Sequence, residues 1–164
     1  MKVLDLAAAE EKAYRLLSMR PHSEKELAKK LRDKGFPEAV IKEALEKLLD
    51  LKYLNDTSFA LQWARNLAVN KLWGNRKIIA SLQEKGVQAR WIDDALASVR
   101  QELPEEEAIV MLISKKAARR KAAALDIKEK QRIFQNLMGR GFPPGLILNK
   151  LGKRAEEESD GYDG

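Results

Sequence analysis

The sequence contains no cysteine and a single histidine, His22. Without cysteine the chain forms no disulfide, and it has neither a thiolate nucleophile nor a cysteine-based zinc site. One histidine leaves mainly carboxylates as metal ligands, and these are scattered at spacings typical of helix surfaces. His22 stands between Pro21 and Ser23, and we interpret it as a partly exposed loop residue. We therefore expect no catalytic residue, no metal and no cofactor.

Long hydrophobic runs are also missing. The longest strongly apolar run covers residues 108–113, whereas a membrane-spanning helix needs about 20 apolar residues. The first five residues, Met-Lys-Val-Leu-Asp, lack the apolar stretch of a secretory signal. These features predict a cytoplasmic protein without a membrane partner.

Aromatic residues are few, whereas charged residues are abundant. Aromatics make up 6% and charged residues 34% of the 164 residues, against about 25% charged residues in an average domain. This composition suits amphipathic helices better than a β-sandwich. Residues 154–164 hold five acidic residues and one arginine, so they contribute −4 to the net charge of +6 and leave +10 on residues 1–153. A body this basic points to a polyanionic partner or an acidic protein surface.

One seven-position pattern occurs three times without internal gaps. It is anchored on Leu31, Leu82 and Leu137, which are 51 and 55 residues apart. An apolar residue lies four positions before each anchor, a basic residue, a glycine and an apolar residue follow at positions three to five, and apolar residues recur at ten and fourteen. These spacings predict two helices joined by a glycine turn. Internal repetition of this kind is typical of tandem helical repeats.

Three glycines, Gly35, Gly86 and Gly141, are predicted to form these turns. Glycine adopts the left-handed conformation that ends many helices, and the basic residue before it suits the negative end of the helix dipole. A further helix precedes each pair; for example, Pro104 and three following glutamates are typical of a helix start. Ser23 with Glu26, and Asp126 with Glu129, are each predicted to form a capping box.

The sequence therefore predicts an all-α protein of three tandem three-helix repeats. Because one repeat cannot bury its apolar face alone, the repeats are expected to stack into an elongated array. The predicted segments are an N-terminal lead (1–8), three helical repeats (9–55, 56–101 and 104–153) and an acidic, disordered tail (154–164).

Two segments concentrate positive charge. Residues 65–90 carry a net charge of +5 and residues 115–132 carry +6. They are either solvated helix faces or contacts to an anionic partner. In the second segment the apolar stripe of Ile109, Leu112 and Ile113 continues at helical spacing into basic residues. Burying unpaired cations costs several kcal/mol each. We therefore expect the basic side chains to reach solvent by snorkelling, or this end of the helix to project from the body or to contact an anionic partner.

The three tryptophans differ in how firmly their environment can be predicted. Trp63 and Trp91 lie near apolar positions of the repeat and are expected in the core. Trp73 directly precedes Gly74, where a helix is expected to end. It could pack against the protein or offer a stacking surface to a base.

The segment from Lys52 to Val87 contains a series of recognisable residues: Tyr53-Leu54-Asn55-Asp56, Phe59-Ala60, Arg65, Gly74, Lys77-Ile78, Leu82 and Lys85-Gly86-Val87. This series resembles the central signature of the RecX regulatory proteins. Residues 16–31 resemble the first repeat of that family, and the resemblance extends over residues 9–152. Lys52 departs from the family, which usually has glycine there. The resemblance implies a curved, elongated monomer of three three-helix repeats.

The resemblance also implies a function. RecX proteins bind the RecA recombinase in the helical groove of its filament on single-stranded DNA, and they block filament growth or promote filament loss. Inhibition of recombination, of the ATPase and of the co-protease activity follows, so DNA repair and the SOS response are modulated. By resemblance, this chain is expected to be such an inhibitor and not an enzyme.

Nine basic residues are predicted to contact DNA or an acidic recombinase surface: Arg65, Lys71, Arg76, Lys77, Lys85, Lys115, Lys116, Arg119 and Arg120. Two alternatives stay open at this point. The chain could be an autonomous helical DNA-binding module, including one for duplex DNA, because helix–turn–helix pairs can enter the major groove. It could also be a protein-interaction scaffold whose positive charge serves solubility only.

Overall fold

The computed structural model describes residues 3–119 and 125–160, the last seven of them by their backbone alone. Within these ranges the chain forms nine α-helices and no β-strand, which confirms the all-α fold class. Helix α4 continues into a π-helical turn over Asn66–Asn70. The helices are α1 (Leu6–Met19), α2 (Glu24–Asp33), α3 (Glu38–Asp50), α4 (Asp56–Arg65), α5 (Asn75–Glu84), α6 (Ala89–Glu102), α7 (Glu105–Ala118), α8 (Ile127–Gly139) and α9 (Pro144–Asp160).

Both predicted capping boxes are present. The Ser23 hydroxyl accepts a hydrogen bond from the Glu26 amide, and the Glu26 carboxylate accepts one from the Ser23 amide. Asp126 and Glu129 form the same reciprocal pair at the start of α8. These side chains satisfy amide groups that have no partner inside the first helical turn, which fixes where each helix begins.

The three predicted turn glycines have positive φ angles of 94°, 77° and 93°. In each turn the backbone amide of the residue after the glycine donates a hydrogen bond to the backbone carbonyl of the anchor leucine. The pairs are Phe36 with Leu31, Val87 with Leu82, and Phe142 with Leu137. This pattern is the Schellman motif, in which a left-handed residue ends the helix. The anchor leucines are fully buried, so each turn is fixed from the core side as well.

Two residues other than glycine adopt the left-handed conformation. Lys52, with a φ of 61°, ends α3 in a Schellman motif, because Tyr53 donates to the Leu48 carbonyl. Lysine therefore occupies a left-handed position there, with a strain of about 1–2 kcal/mol. Leu72, with a φ of 54°, was not foreseen, because nothing in its local sequence favours a positive φ.

The chain divides into two compact units, and the division differs from the repeat boundaries predicted from the sequence. Unit 1 comprises Met1–Trp63 and Ser81–Ala95, and unit 2 comprises Ala64–Ala80 and Leu96–Gly164. The division falls inside α4, α5 and α6. Each unit therefore combines one terminal repeat with part of the middle repeat.

Each unit has its own apolar core. In unit 1 two clusters of buried side chains come mainly from α1, α2 and α3: Ala9, Ala13, Leu27, Leu31, Phe36, Ile41, Ala44, Leu48 and Leu54. In unit 2 they come mainly from α7, α8 and α9: Ala108, Ile109, Leu112, Ile113, Ala117, Leu125, Ile133, Leu137, Phe142, Ile147 and Leu151. The stripe predicted on α7 is thus part of a core.

Helix α9 continues to Asp160, beyond residue 154, where the sequence predicted a disordered tail to begin. Gly152 does not end the helix, and the following alanine and glutamates are good helix formers. None of the helices in the part of the chain that the structure describes is long and apolar enough to span a bilayer.

Candidate polyanion-binding residues

Unit 1 contains a contact between two repeats, which we call the first repeat interface. The turn around Gly86 packs against the N-terminus of α2, where the Ser23 hydroxyl donates to the Lys85 carbonyl at 2.6 Å. The Glu24 amide donates to Asp56 Oδ1, at the start of α4, at 2.9 Å. A Cβ on Gly86 would lie 2.6 Å from Lys25 Cδ and 2.8 Å from its Cβ. The turn therefore needs glycine for close approach as well as for its φ.

An ion-paired carboxylate lies at the first repeat interface. Glu26, whose side chain is 10% exposed, accepts hydrogen bonds from Arg20 Nη2 at 2.7 Å and from Lys85 Nζ at 2.8 Å. Burial alone would raise the pKa of Glu26. The hydrogen bonds from Arg20, Lys85 and the Ser23 amide outweigh burial, and together they lower that pKa to about 2. The carboxylate therefore stays ionised and balances one of the two cations.

Trp63 lies against the same two cations. Arg20 Cζ is 5.5 Å and Lys85 Nζ 5.1 Å from the centre of its ring, within the range of cation–π attraction. The indole Nε1 donates to Ser81 Oγ at 2.9 Å, and Phe59 stacks on the ring at 5.6 Å. Trp63 is half-buried, as are Trp73 and Trp91, so the expectation of a core position for Trp63 and Trp91 is met only in part.

His22 lies in the loop between α1 and α2, but it is buried, with 3% of its surface exposed, so the expectation of a partly exposed side chain was wrong. Its Nδ1 lies 2.9 Å from the Arg20 carbonyl oxygen and its Nε2 lies 2.9 Å from Lys30 Nζ. Burial first, and then the positive charges of Arg20 and Lys30, lower the pKa of His22. The neutral ring donates a hydrogen bond from Nδ1 to the Arg20 carbonyl and accepts one at Nε2 from the Lys30 ammonium group.

Unit 2 contains the corresponding contact, the second repeat interface. The Gly74 amide donates to the Arg140 carbonyl at 2.7 Å, and the Arg76 amide donates to the Gly141 carbonyl at 3.2 Å. The Asn75 amide donates to Glu105 Oε2, at the start of α7, at 3.1 Å. A Cβ on Gly141 would lie 2.5 Å from the Lys77 backbone nitrogen. The backbone arrangement thus parallels that of the first repeat interface.

The side chains at the second repeat interface are cationic. Lys77 Nζ is 4.0 Å and Lys71 Nζ 5.6 Å from the centre of the Trp73 ring. Arg140 Nη1 donates to the Lys71 carbonyl at 2.7 Å, and its Nε donates to Asn136 Oδ1 at 3.2 Å. Among the side chains that the structure describes, no carboxylate lies within ion-pair distance of these three cations. We call Lys71, Lys77 and Arg140 with Trp73 the cationic interface cluster.

The loop that carries Trp73 is fixed by backbone contacts. The Trp73 amide donates to the Leu67 carbonyl at 2.9 Å. Its carbonyl accepts from Arg100 Nη2 at 2.9 Å, while Arg100 Nε donates to Asn75 Oδ1 at 2.7 Å. Burial lowers the pKa of Arg100, and its hydrogen bonds to Asn75 and to the Trp73 and Leu103 carbonyls indicate a structural role for this guanidinium. The loop therefore holds its tryptophan and lysines in a defined place.

A second group of cations lies at the end of α7. Lys116 and Arg119 line a cleft of about 320 Å³, together with Arg132, Asn136 and the acidic residue Glu129 of α8. Burial first, and then the positive charges of Arg140, Arg119 and Lys115, lower the pKa of Lys116. This coupling to Arg140 places the end of α7 electrostatically close to the cationic interface cluster.

The comparisons with known proteins agree with the repeat pattern. Three family models, described as the first, second and third three-helix domains of RecX, match residues 9–48, 55–96 and 104–151. The chain belongs to the RecX family. RecX-family proteins are regulators and not enzymes, as the sequence led us to expect for this chain.

Its RecX relatives differ in how much of their length the chain covers. A regulatory protein RecX of Geobacillus kaustophilus is 32% identical over 157 residues, which are 94% of this chain and 58% of that protein. One of Mycobacterium sp. (strain KMS) is 31% identical over 82% of this chain and 75% of that protein. The crystal structure of RecX from Lactobacillus salivarius matches with a TM-score of 0.76 and 27% identity, over 91% of this chain and 96% of that chain.

The nine predicted contact residues of this RecX-family chain have different environments. Arg65 pairs with Glu102 at 2.7 Å, and Lys85 pairs with Glu26, so both have internal partners. Lys71 and Lys77 belong to the cationic interface cluster, and Arg76, on the same turn of α5, is exposed. Arg120 lies outside the described residues. Lys115, Lys116 and Arg119 remain together at the end of α7.

Sequence reasoning missed Arg140 and Arg132. Arg140 occupies the basic position of the third repeat, directly before Gly141, and this equivalence to Lys85 was the available signal. For Arg132 the repeat pattern offers no such signal. Its position on the cleft can be seen only in the tertiary structure, where α8 packs beside the end of α7. Within the described parts of the chain, no group of three potential metal ligands comes together.

Proposed function

We propose that this RecX-family protein binds the RecA recombinase filament on single-stranded DNA and inhibits its growth and activities. The affected activities are recombination, ATP hydrolysis and co-protease function, so the protein modulates DNA repair and the SOS response in the bacterial cytoplasm. Support comes from the family membership and from the name of the relatives, regulatory protein RecX. The observation that carries the proposal is the cationic interface cluster, in which Lys71 and Lys77 lie near the Trp73 ring and Arg140 contacts the Lys71 backbone. Among the side chains that the structure describes, no carboxylate pairs with these three cations.

The electrostatics of unit 2 fit such a partner. A cluster of cations without nearby carboxylates creates a positive potential that attracts a phosphate-bearing filament and raises the association rate. Lys115, Lys116 and Arg119 add to this potential at the end of α7. Tandem repeats can contact successive subunits of a filament. The elongated, curved arrangement and the monomeric state stay predictions.

The proposal is tested by titrating the protein into single-strand-dependent ATP hydrolysis by the recombinase. We expect inhibition at less than one protein per recombinase subunit, because binding to a filament affects neighbouring subunits. Full hydrolysis at saturating protein, with filaments confirmed by electron microscopy, would reject it.

Two alternatives predict different results in a DNA-binding experiment. An autonomous module that reads sequence would prefer one duplex over random DNA by about 10³-fold or more at physiological salt. A scaffold would show negligible DNA binding at low salt and no dependence of affinity on salt. The basic residues lie on the loop before α5, on α5, on α7 and on α8, and not on one recognition helix, which disfavours the module.

A further inference from the structure

The two repeat interfaces can be compared position by position. The spacing of 51 residues between the first two anchor leucines relates Arg20 to Lys71 and Glu26 to Lys77, and the spacing of 55 relates Lys85 to Arg140. The correspondence is also structural, since Arg20 is the C-cap residue of α1 and Lys71 that of the π-helical turn after α4. Lys85 and Arg140 each precede the turn glycine that packs on the next helix start.

The charge at one of these positions is reversed. At the first repeat interface the three positions are Arg20, Glu26 and Lys85, which sum to +1, and the carboxylate binds both cations. At the second they are Lys71, Lys77 and Arg140, which sum to +3. Like charges held close together repel, and nothing that the structure describes in unit 2 neutralises them. The second repeat interface therefore has cations at the positions of Arg20 and Lys85, but it has no carboxylate at the position of Glu26.

We propose that the cationic interface cluster is a binding site for a backbone phosphate of single-stranded DNA, which takes the electrostatic role that the Glu26 carboxylate has at the first repeat interface. This proposal rests on the proposed function and assigns its DNA contact to Lys71, Lys77 and Arg140. It adds that phosphate binding stabilises unit 2, because the phosphate offsets the repulsion among the three cations.

The donors available at the cluster suit a phosphate. Arg140 uses Nη1 and Nε for the Lys71 carbonyl and Asn136, which leaves N–H groups for an oxyanion. Guanidinium groups bind phosphate with paired hydrogen bonds, and lysine ammonium groups add point charges. Trp73 is half-buried and its ring lies near two lysine ammonium groups. Cations combined with an aromatic side chain are typical of single-strand binding sites.

The surroundings favour nucleic acid over an acidic protein. Protein–protein interfaces have an apolar core with a polar rim. The loop and helix start that carry Lys71, Trp73 and Lys77 belong to residues 64–80, all of which the structure describes, and no large hydrophobic side chain is exposed there. The exposed apolar side chains of unit 2, such as Val110, Ile127 and Leu148, lie on α7, α8 and α9. A phosphate binds through charge and hydrogen bonds and does not need an apolar surface.

The test is the exchange Lys77→Glu, which gives the second interface the charges of the first. Binding of a fluorescent oligo(dT) is measured by anisotropy at several salt concentrations. We expect affinity to fall about tenfold at low salt, and the slope of log K against log [salt] to become shallower by about 1. The matched control is Lys42→Glu, the same exchange at an exposed position of α3 in unit 1, which should leave the slope unchanged. Equal slopes for the two variants would overturn the proposal.

A second measurement separates loss of binding from misfolding. Inorganic tripolyphosphate should raise the melting temperature of the wild type and of Lys42→Glu, but not that of Lys77→Glu, because a ligand stabilises the state that binds it. Lys77→Arg should restore both the salt slope and the tripolyphosphate response. A tripolyphosphate response that is the same in Lys77→Glu would place the anion elsewhere.

The outcomes distinguish this proposal from the proposed function. If the wild type binds no oligo(dT) and does not inhibit the recombinase ATPase, both proposals fail. If Lys77→Glu binds DNA like the wild type, the phosphate site is wrong, while inhibition of the ATPase by the wild type would still support the function. If Lys77→Glu loses only its affinity for DNA-free recombinase, the cluster contacts acidic protein and the phosphate assignment is rejected.

Discussion

The two repeat interfaces share their backbone contacts and differ in their charges. In both, a glycine turn packs against the first turn of a helix, and a carboxylate from the next repeat accepts a helix amide: Asp56 in unit 1 and Glu105 in unit 2. In unit 1 Glu26 neutralises its neighbours, whereas Lys77 takes its place in unit 2. The comparison indicates that the turn glycine and the hydrogen bonds to the turn backbone are common to both interfaces, whereas the charge of the side chain at the Glu26 position differs between them.

The largest effect should come from filling the space at the turn glycines. An alanine at Gly141 would place a Cβ 2.5 Å from the Lys77 backbone nitrogen, in a residue with a φ of 93°. We expect Gly141→Ala to lower the free energy of unfolding by about 3–5 kcal/mol, from left-handed strain plus overpacking. Chemical denaturation followed by circular dichroism measures this.

The other two turn glycines are the controls for this prediction. At Gly86 the nearest atoms belong to the Lys25 side chain, which can move in part, so we expect a smaller loss of about 2–3 kcal/mol. At Gly35 the nearest described atom is Leu4 Cδ1, in ordinary contact at 3.4 Å. We therefore expect a loss from left-handed strain of about 1–2 kcal/mol. Equal losses at all three positions would show that close approach at the repeat interfaces is unimportant.

The next effect tests the ion-paired carboxylate of unit 1. Glu26→Gln keeps the size of the side chain but leaves Arg20 and Lys85 without their anion, so we expect a loss of about 2 kcal/mol. The matched exchange Glu102→Gln breaks an exposed pair with Arg65 and should cost less than about 1 kcal/mol. Similar losses for the two variants would mean that the Glu26 ion pairs contribute no more than a surface pair.

The pH dependence of stability gives an independent check on Glu26. The pKa of Glu26 is about 2 in the folded protein, whereas its ordinary value, which applies to the unfolded chain, is 4.5. Because the folded pKa is the lower one, the stabilisation is complete above pH 4.5 and is lost as the pH falls towards 2. The free energy of unfolding of the wild type should therefore decrease over this range more steeply than that of Glu26→Gln.

The smallest effect concerns His22. Its folded pKa lies below 6.5, so the folded protein favours the neutral ring and the unfolded chain takes up more protons. Its contribution is complete above pH 6.5 and is lost as the pH falls through the folded pKa. We expect a gentle decrease in stability from pH 7 towards pH 5, which His22→Gln should remove. An unchanged slope in that variant would show that His22 does not titrate with folding.

Much of the helical architecture could be predicted because its signals are local. Capping boxes, the Pro104 start and the glycine turns depend on residues within a few positions of each other. The left-handed residues Lys52 and Leu72 show the limit. The resemblance marked Lys52 only as a departure from the family glycine, and nothing in the local sequence pointed to Leu72. Among the basic residues, net charge identified two basic segments, and their role in binding stays a prediction. Net charge could not separate Lys85, which pairs with Glu26, from Lys77, for which no described carboxylate lies within ion-pair distance.

By itself, the sequence determined the helices, the three repeats and the surplus of positive charge, because helix propensity, capping and apolar spacing act over a few residues. Only the tertiary structure decided which cations find a carboxylate, why His22 is buried and neutral, and how the middle repeat is shared between two compact units. Those outcomes depend on distances between residues such as Glu26 and Lys85 that are far apart in the chain. Charge neutralisation and burial are set by such distances and not by composition.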